Sequence, residues 1–520
     1  MAEAVEMNAN LVSKDRLGDK ILGLENGARV EEIVRRVQDW QIIHGSLLKV
    51  VPADEDEASS AGAKAHAVPV SLVPSPWSRR CFDRAVALQD GFNELYARLA
   101  SNEKGLERML RPLMGKDGFA ETLWSIHQEA KTLGIAQKWS LGIFRSDYMA
   151  NSEGIHQVEF NTFACSGATH ATRISKMYSY LHKIGMYGDT YGPQSAPPAK
   201  LPSNSATTGI VRALLGAHQQ YLKCRSSSNS ASTGILMIVQ HGNFNVSDER
   251  PIEYALWDVG VPVYRLEFRA ILQYLSLGPN KELLYKLPSC ELAPLEVSVV
   301  YYRAGHKPAE YLRDGAEARL LIEISQAIKC PSILSHLTTF KHVQQELAKP
   351  GALQACFPGA RQIPRVDETF VPMFVLDKSE RGIHARNLAL NEEQARRYIL
   401  KPSREGGGNN VYGRDIPAFL QTVREELWPT FTLMEKIEVT PHNALLLSQN
   451  GLYMGPAVSE LGIVGSILWR PDDRDDGIPS IEIDFNKPIG WTFKTKPSTV
   501  DEMSVVKGYG FFDSPYLLDD

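Results

Sequence analysis

A lysine, a glutamate and three consecutive glycines lie close together in the stretch 399–413, as Lys401, Glu405 and Gly406 to Gly408. Glycine backbones can close around phosphate oxygens, a lysine adds positive charge, and a carboxylate can hold a hard cation that bridges those oxygens. The stretch lacks the G-x-x-x-x-G-K-[ST] order of a P-loop, and its flanks favour strand, loop, strand. Three glycines also occur in ordinary flexible turns, so the pattern alone is a hypothesis of ATP binding.

Two oxygen-bearing side chains, Glu159 and Asn161, stand two residues apart in the stretch 157–162. On a β-strand this spacing points both side chains to one face. Together with Glu405 they can supply oxygen ligands to magnesium, whereas without it they are typical of a solvent-facing pair. Further along, the short apolar stretch 431–437 favours a strand whose backbone groups can reach an adenine ring.

The chain resembles eukaryotic glutathione synthetase, an ATP-grasp ligase family, over roughly residues 80 to 520. The resemblance rests on the stretches above and on those at 140–149, 317–321, 343–347 and 458–463. Members of this family phosphorylate the carboxylate of γ-glutamylcysteine with ATP, and the amine of glycine then attacks the acyl phosphate. The resemblance therefore implies an ATP- and magnesium-dependent ligase that forms an amide bond.

For the nucleotide half, the resemblance implies a complete set of residues. It assigns Lys329 and Lys401 to the ATP phosphates, with Arg145 as a further catalytic residue, and it assigns Glu159, Asn161 and Glu405 to magnesium. Phosphoryl transfer depends mainly on positioning and on neutralising phosphate oxygens, so no side-chain nucleophile is expected. The other nucleotide-side residues that it implies are Gly406, Gly407, Asn410, Tyr412, Met434, Glu435, Lys436, Ile437 and Glu460.

For the acceptor half, the resemblance is incomplete. Arg145 and Arg303 are retained and are expected to clamp carboxylates, and Ser166 and Lys496 also match the family. Four expected substrate contacts differ: Ala164 replaces a serine, Gln219 a glutamate, His306 a tyrosine and Lys494 an arginine. The family's closing loop, rich in Gly and Ala, is replaced by residues 504–512, where Val506, Lys507 and Tyr509 add side-chain bulk.

These departures gather on the acceptor side. An arginine-to-lysine change at Lys494, for example, exchanges a flat bidentate fork for a point charge. We therefore expect a ligase whose carboxylate or amine differs from γ-glutamylcysteine and glycine. Drift or a shifted alignment explains each departure as well, so glutathione synthetase itself is the alternative. A non-catalytic binding protein on the same scaffold is a third hypothesis, which the intact lysines and metal-ligating residues disfavour.

Composition fits a large soluble protein. The 520 residues are 43% hydrophobic and 22% charged, which suits more than one compact domain. A net charge of −5 gives no basic footprint for nucleic acid or an anionic membrane, and no apolar run approaches the roughly 18 residues that span a bilayer. Scattered cysteines and the absence of a signal peptide favour the cytoplasm. Small-molecule carboxylate and amine partners, and a homodimer, follow from the resemblance.

The expected fold is α/β: a permuted ATP-grasp body, a small Rossmann-like inserted substrate domain and a glycine-rich lid. Apolar residues at helical spacing from Val30 to Trp40, followed by Gly45, predict an amphipathic helix. The apolar runs 234–240 and 297–302 predict buried parallel strands with a helix at 252–259 between them. The polar stretches 54–67, 188–208 and 225–233 predict loops.

We expect three parts along the chain. Residues 1–208 would form the N-terminal part of the ATP-grasp body with the magnesium-site strand, and residues 209–330 the inserted substrate-binding domain. Residues 331–520 would form the lid and the C-terminal nucleotide-binding part.

The first prediction concerns Glu405. Glu405→Gln should abolish turnover and leave the protein folded, because it removes a negative ligand from magnesium with little change in shape. Glu435→Gln is the control, since Glu435 is expected at the adenine edge, and it should cost much less. Turnover at saturating magnesium decides the matter, and equal activity of wild type and Glu405→Gln would reject the ligand role.

Overall fold

The computed structural model describes residues 27–51, 64–187, 200–225, 232–288, 293–353, 357, 366–403, 409–472, 480–505 and 508–519. The α-helices are α1 (Gly27–Ile43), α2 (Arg79–Ala100), α3 (Glu103–Leu110), α4 (Gly118–Leu133), α5 (Ala168–Lys183), α6 (Ala206–Cys224), α7 (Val246–Asp258), α8 (Ile271–Tyr274), α9 (Gly315–Glu323), α10 (Ile333–Leu337), α11 (Lys341–Leu347), α12 (Glu380–Leu390), α13 (Glu392–Ala395) and α14 (Asp415–Thr422). Short 3-10 turns span Arg111–Leu113, Phe268–Ala270, Pro308–Tyr311, Val366–Thr369 and Glu425–Thr430.

The strands are β1 (Leu47–Lys49), β2 (Ala65–Ala67), β3 (Val70–Ser71), β4 (Ser75–Ser78), β5 (Ser140–Asn151), β6 (Gly154–Asn161), β7 (Thr233–Val239), β8 (Val263–Glu267), β9 (Leu275–Leu277), β10 (Leu283–Tyr285), β11 (Leu295–Tyr302), β12 (Ile328–Cys330), β13 (Met373–Val375), β14 (Tyr398–Pro402), β15 (Val411–Tyr412), β16 (Phe431–Glu435), β17 (His442–Ser448), β18 (Gly451–Pro471), β19 (Ile481–Pro497), β20 (Phe511–Phe512) and β21 (Pro515–Leu518). Most belong to one large sheet.

The large sheet has a mainly antiparallel half and a half whose centre is parallel and whose edge strands β9 and β10 are antiparallel. Its main path runs β17, β3, β20, β19, β18, β5, β12, β11, β10, β9, with β6 added beside β5, β7 beside β11 and β8 beside β7. The pairs β18–β19, β5–β18 and β5–β6 are antiparallel. The pairs β11–β12, β7–β11 and β7–β8 are parallel. Strand β5 therefore lies where the two halves meet.

The predicted buried parallel strands are confirmed. They are β7 and β11, which pair in parallel and carry almost entirely buried side chains. The helix between them begins earlier than predicted, at Val246, and Pro251 lies inside it. A proline lacks the N–H that would bond four residues back, and here the Arg173 guanidinium donates to the Ser247 carbonyl at 2.8 Å instead. Both strands belong to the large sheet. The inserted Rossmann-like domain therefore stays a prediction.

A second sheet, in the order β13, β16, β14, β15, carries the lysine of the glycine-rich stretch. Its neighbouring strands are antiparallel. One face packs on α12 and α14 through Ala385, Leu400, Ile416 and Leu433, all fully buried. Because side chains alternate along a strand, burial of Leu400 on this face leaves Lys401 on the opposite one.

The helix predicted before Gly45 is confirmed as α1, and Gly45 has φ +64°. Part of the predicted 54–67 loop is wrong, since Ala65–Ala67 forms β2 against β1. In the other two predicted loops, residues 200–205, 225 and 232 belong to no helix or strand, but 206–208 begin α6 and 233 begins β7, so these ends are wrong. Residues 54–63, 188–199 and 226–231 lie outside the described residues. Among the described helices, none is long and apolar enough to cross a membrane.

An aromatic group fixes helix α2 against strands β5 and β6. The Phe160 ring lies 3.9 Å from the Tyr96 ring and 5.6 Å from the rings of both Phe92 and Phe144. Phe160 stands between Glu159 and Asn161 in β6. Since strand side chains alternate, anchoring Phe160 in the core turns its two polar neighbours to the other face.

Phe160→Ala should therefore lower the free energy of unfolding by roughly 3–5 kcal/mol, because it empties a packed aromatic site. Urea denaturation measures this. Tyr254→Ala, at a side chain that is 57% exposed, is the control and should shift stability by about 0.5 kcal/mol at most. An unchanged urea midpoint for Phe160→Ala would show that this aromatic group does not hold β6 in place.

Candidate active site

One cavity of about 1110 Å³ is lined from both sheets. Strands β5, β6, β18 and β19 of the large sheet contribute to it, as do β14, β15 and β16 of the small sheet. We call the part around Lys341, Lys401 and Met434 the nucleotide end, and the part around Arg145, His170 and Arg303 the acceptor end. Both ends belong to the same continuous cavity.

Two buried lysines reach the nucleotide end from different elements. Lys401 lies on β14 and is 6% exposed, and Lys341 begins α11. The Lys341 Nζ lies 3.6 Å from Glu159 Oε2 and donates to Gln344 Oε1 at 3.0 Å. Burial and the neighbouring Lys401 charge lower the pKa of Lys341 to about 8. Within the described ranges, no ion pair involves Lys401, whereas Lys341 is paired with Glu159.

The carboxylate of Glu159 stays ionised in this setting. Burial alone would raise its pKa, but the charges of Lys341, Lys401 and Arg145 outweigh burial and bring the pKa down to about 2. The Asn161 amide donates to Glu159 Oε1 at 3.1 Å and to Asp147 Oδ2 at 3.2 Å. The cross-strand pairs Asp147–Glu159 and Arg145–Asn161 explain this closeness. Glu159 and Asn161 therefore share one face, as the spacing predicts.

A magnesium site fits these residues in part. Within the described part of the chain, no group of three or more His, Cys, Asp or Glu side chains is arranged to hold a metal ion. Magnesium is usually held by one or two carboxylates together with substrate phosphates, and Glu159 with the Asn161 amide oxygen supplies such a set. Glu405, Gly406 and Gly407 lie outside the described residues. Magnesium therefore stays a prediction that the donor chemistry suits.

The remaining nucleotide-side residues also line the cavity. The Asn410 amide donates to the Tyr412 hydroxyl at 3.3 Å, and that hydroxyl donates to Glu502 at 3.3 Å, which ties β15 to the C-terminal segment. Glu435 is paired with Arg397 at 2.9 Å. The predicted nucleotide-side residues that line the cavity are Asn410, Tyr412, Met434, Glu435, Lys436, Ile437 and Glu460.

At the acceptor end, Arg145 already holds a carboxylate. Its Nε and Nη2 donate to the two Asp147 oxygens at 2.6 and 2.7 Å, and its Nη1 donates to the Ser166 carbonyl at 3.0 Å. This bidentate arrangement fixes the plane of the guanidinium. A guanidinium has five N–H groups, and among the described residues the other two of Arg145 have no hydrogen-bond acceptor.

The other cations of this end are paired too. Arg303 donates to Asp248 and Glu249, each at 3.3 Å, and to the Cys165 carbonyl at 2.6 Å. The Lys494 ammonium lies 2.7 Å from Glu460, its cross-strand neighbour. Lys496 donates to the Val500 carbonyl. The predicted acceptor-side residues that line the cavity are Arg145, Ala164, Ser166, Arg303, His306, Lys494 and Lys496.

The structure contradicts the prediction for Lys329. Its side chain is 1% exposed, does not line the cavity and donates to the Ser325 carbonyl at 3.1 Å. On β12, Ile328 and Cys330 pack into the core, so Lys329 points to the opposite face, where it feels the charge of Glu323. Lys341 lines the nucleotide end beside Lys401 instead. The signal for it is its place two residues before the stretch 343–347 of the resemblance.

The structure also contradicts the prediction for Gln219, which is exposed on α6 and does not line the cavity. Asn245 and Glu249 line the acceptor end instead. Glu249 is 3% exposed and accepts hydrogen bonds from Arg265 and Asn243, both at 2.6 Å. A carboxylate is therefore present at this end, and the inferred loss of a partner for a substrate ammonium is not supported.

The closing segment contributes differently from the prediction. Ser504, Val505 and Phe512 line the cavity, whereas Tyr509 is 38% exposed and does not line it. Residues 506 and 507 lie outside the described residues. The bulk that this segment adds to the cavity therefore comes from Val505 and Phe512 among the described positions.

Comparison with known proteins identifies the family. A family model described as "Eukaryotic glutathione synthase, ATP binding domain" matches residues 27–517. The glutathione synthetase large chain of Schizosaccharomyces pombe is 31% identical over 512 residues, covering 94% of this chain and 97% of the relative. The glutathione synthetases of Bos taurus and Homo sapiens are each 32% identical, covering 95% of this chain and 98% of each relative.

A solved structure supports the fold. The apo form of a glutathione synthetase-like effector from Globodera pallida superposes with a TM-score of 0.69 at 20% identity, covering 96% of this chain and 99% of that one. The family match over nearly the whole chain also implies ATP use, which suits the charge of the nucleotide end. The chain therefore belongs to the eukaryotic glutathione synthetase family of ATP-dependent carbon–nitrogen ligases.

Proposed function

We propose that this ligase phosphorylates the cysteine carboxylate of γ-glutamylcysteine with ATP and joins it to glycine. One observation carries the proposal: Lys341 and Lys401 lie with Glu159 at one end of a cavity whose other end presents Arg145 and Arg303. An anion-binding end and a carboxylate-binding end in one cavity suit transfer of a phosphoryl group to a carboxylate. The glutathione synthetases named above support the choice of substrates.

The nucleotide end supplies charge for phosphoryl transfer. As the γ-phosphoryl group passes to the substrate carboxylate, negative charge spreads over its oxygens, and Lys341 and Lys401 neutralise it without moving far. Both ammonium groups are largely shielded from water, so their attraction for phosphate is stronger than at the surface. Magnesium, when bound by Glu159 and Asn161, neutralises further phosphate charge.

The acceptor end orients the carboxylate and the amine. Two N–H groups of Arg145, beside the polar face of β5 and β6, have no acceptor in the described part of the chain, and these would hold a carboxylate next to the phosphate. The amine nitrogen then attacks the carbonyl carbon of the acyl phosphate, inorganic phosphate leaves, and the nitrogen gives up a proton to solvent. In this reaction, no side chain of the protein forms a covalent bond with the substrate.

A different carboxylate or amine, the first choice from sequence, becomes the second candidate. One observation in its favour is the lack of a hydroxyl at Ala164, whose backbone lies in the left-handed region with φ +46°. The other is that Lys494, which stands where the family has an arginine, already forms an ion pair with Glu460. A homodimer and a cytoplasmic location are further proposals that rest on the family resemblance alone.

Mixing the pure protein with ATP, magnesium, γ-glutamylcysteine and glycine should give ADP, phosphate and glutathione in equal amounts. Mass spectrometry identifies the product, and coupled ADP release gives the rate. ADP release only with other carboxylate and amine pairs would favour the second candidate. No ADP release with any pair would contradict the ligase mechanism and return the chain to a binding role.

The two buried lysines give a matched test. Lys341→Met should lower kcat by at least about a hundredfold, because it removes a preorganised charge from the phosphate. Lys329→Met should keep kcat within about threefold of wild type, because Lys329 lies outside the cavity, as the described residues show. Fixed-time assays of ADP release on the folded variants compare their kcat values. The opposite order of effects would restore Lys329 as the phosphate lysine.

A further inference from the structure

Several buried hydrogen-bonding atoms at the acceptor end lack a partner. Both ring nitrogens of His170, Nδ1 of His306 and Oγ1 of Thr492 have none among the described residues, although all three side chains line the cavity. His170 and Thr492 are each 1% exposed. Buried polar atoms in folded proteins nearly always have a partner, so each exception needs an explanation. A bound substrate would supply one.

His170 and Thr492 form one wall with Phe512 and Gly167. The His170 and Phe512 rings lie 5.1 Å apart. A Cβ at Gly167, where φ is +89°, would lie 3.1 Å from Phe512 Cε1 and 3.9 Å from Thr492 Cγ2. The glycine thus lets Phe512 and Thr492 close against the turn before α5. The wall combines apolar rings with uncharged polar atoms.

The charged groups around this wall already have partners. Asp248 accepts from the backbone N–H groups of Gly167 and Thr169 at 2.9 Å each, as well as from Arg303. Arg173 donates to the carbonyls of Gly45 and Ser247. A substrate group that reaches the wall therefore forms hydrogen bonds with neutral side-chain atoms, because the charged groups named here are already paired.

His170 itself is neutral near pH 7. Burial and the charge of Arg173 lower its pKa, Asp248 opposes them only in part, and the pKa falls to about 4. Asn245 lies beside the ring, yet no pair of atoms there meets hydrogen-bond geometry. A neutral imidazole offers one N–H donor and one acceptor nitrogen. Such a ring recognises an amide, a hydroxyl or a thiol.

We propose that His170 is a specificity-determining residue that hydrogen-bonds an uncharged polar group of the carboxylate substrate, with the Thr492 hydroxyl beside it on the same wall. This rests on the proposed function, in which the acceptor end holds that substrate. His170 would thereby favour a peptide-like carboxylate with an amide, hydroxyl or thiol over an apolar one of the same size.

The experiment compares His170→Leu, His170→Gln and wild type in the full-length protein. Initial rates with γ-glutamylcysteine and with γ-glutamyl-α-aminobutyrate, which has a methyl group in place of the thiol, give kcat and KM for each carboxylate substrate and for ATP. The matched control is His127→Leu. His127 is 2% exposed and both its ring nitrogens lack a hydrogen-bond partner in the described chain, although Nε2 lies 3.6 Å from Glu103 Oε1; it does not line the cavity.

We expect His170→Leu to lower kcat/KM for γ-glutamylcysteine by about tenfold or more, the effect of one lost buried hydrogen bond. KM for ATP should stay within about twofold. His170→Gln should recover most of the loss, and His127→Leu should leave both substrates unaffected. A smaller loss with the aminobutyrate dipeptide would identify the thiol as the group recognised, and an equal loss with both dipeptides would identify the peptide amide.

Two outcomes overturn the inference. One is an unchanged kcat/KM in His170→Leu, and the other is an equal loss in His170→Leu and His127→Leu. A wild-type protein that makes no product contradicts the proposed function instead, and calorimetry with γ-glutamylcysteine and a non-hydrolysable ATP analogue then decides about His170. Binding by wild type that weakens about tenfold in His170→Leu supports the inference, and equal binding or no binding overturns it.

Discussion

Two like charges, on Lys341 and Lys401, interact at one buried end of the cavity beside the ionised carboxylate of Glu159. Burying ammonium groups costs free energy unless opposite charge accompanies them. The depressed pKa of Lys341 reports that cost. The negative charge of a bound polyphosphate would offset this free-energy cost. The rest of the structure can be understood as the framework that keeps these groups in place before the ligand arrives.

That framework consists of two sheets with different tasks. The large sheet fixes Glu159, Asn161 and Arg145 through the antiparallel register of β5 and β6, and Phe160 locks this register by packing into the core under α2. The small sheet holds Lys401 opposite a buried Leu400. Because each lysine belongs to a different element, any shift between the elements changes how the two charges meet a phosphate.

The acceptor end follows another principle. Its cations are paired with carboxylates or carbonyls before substrate binds, which keeps each guanidinium and ammonium oriented. The buried atoms that still lack a hydrogen-bond partner among the described residues here are uncharged ones, on His170, His306 and Thr492. Charge would then position the reacting carboxylate, while uncharged groups would select what surrounds it.

Local pattern allowed part of this to be predicted. Spacing placed Glu159 and Asn161 on one face, apolar runs located the parallel strands, and motif resemblance found Lys401 and Arg145. Lys329 and Gln219 were wrong because a residue's face on a short buried strand or a helix depends on packing partners that are distant in sequence. Thr492 had no motif signal, since it meets His170 at the wall through the turn at Gly167 and strand β19.

The most direct measurement is a crystal structure of the protein with magnesium and a non-hydrolysable ATP analogue. The account predicts that the terminal phosphates contact the Nζ atoms of both Lys341 and Lys401, with Glu159 facing the metal and Lys329 still bonded to the Ser325 carbonyl. Phosphates bound elsewhere in the cavity, or held by Lys329 while Lys341 stays turned to Gln344, would contradict it.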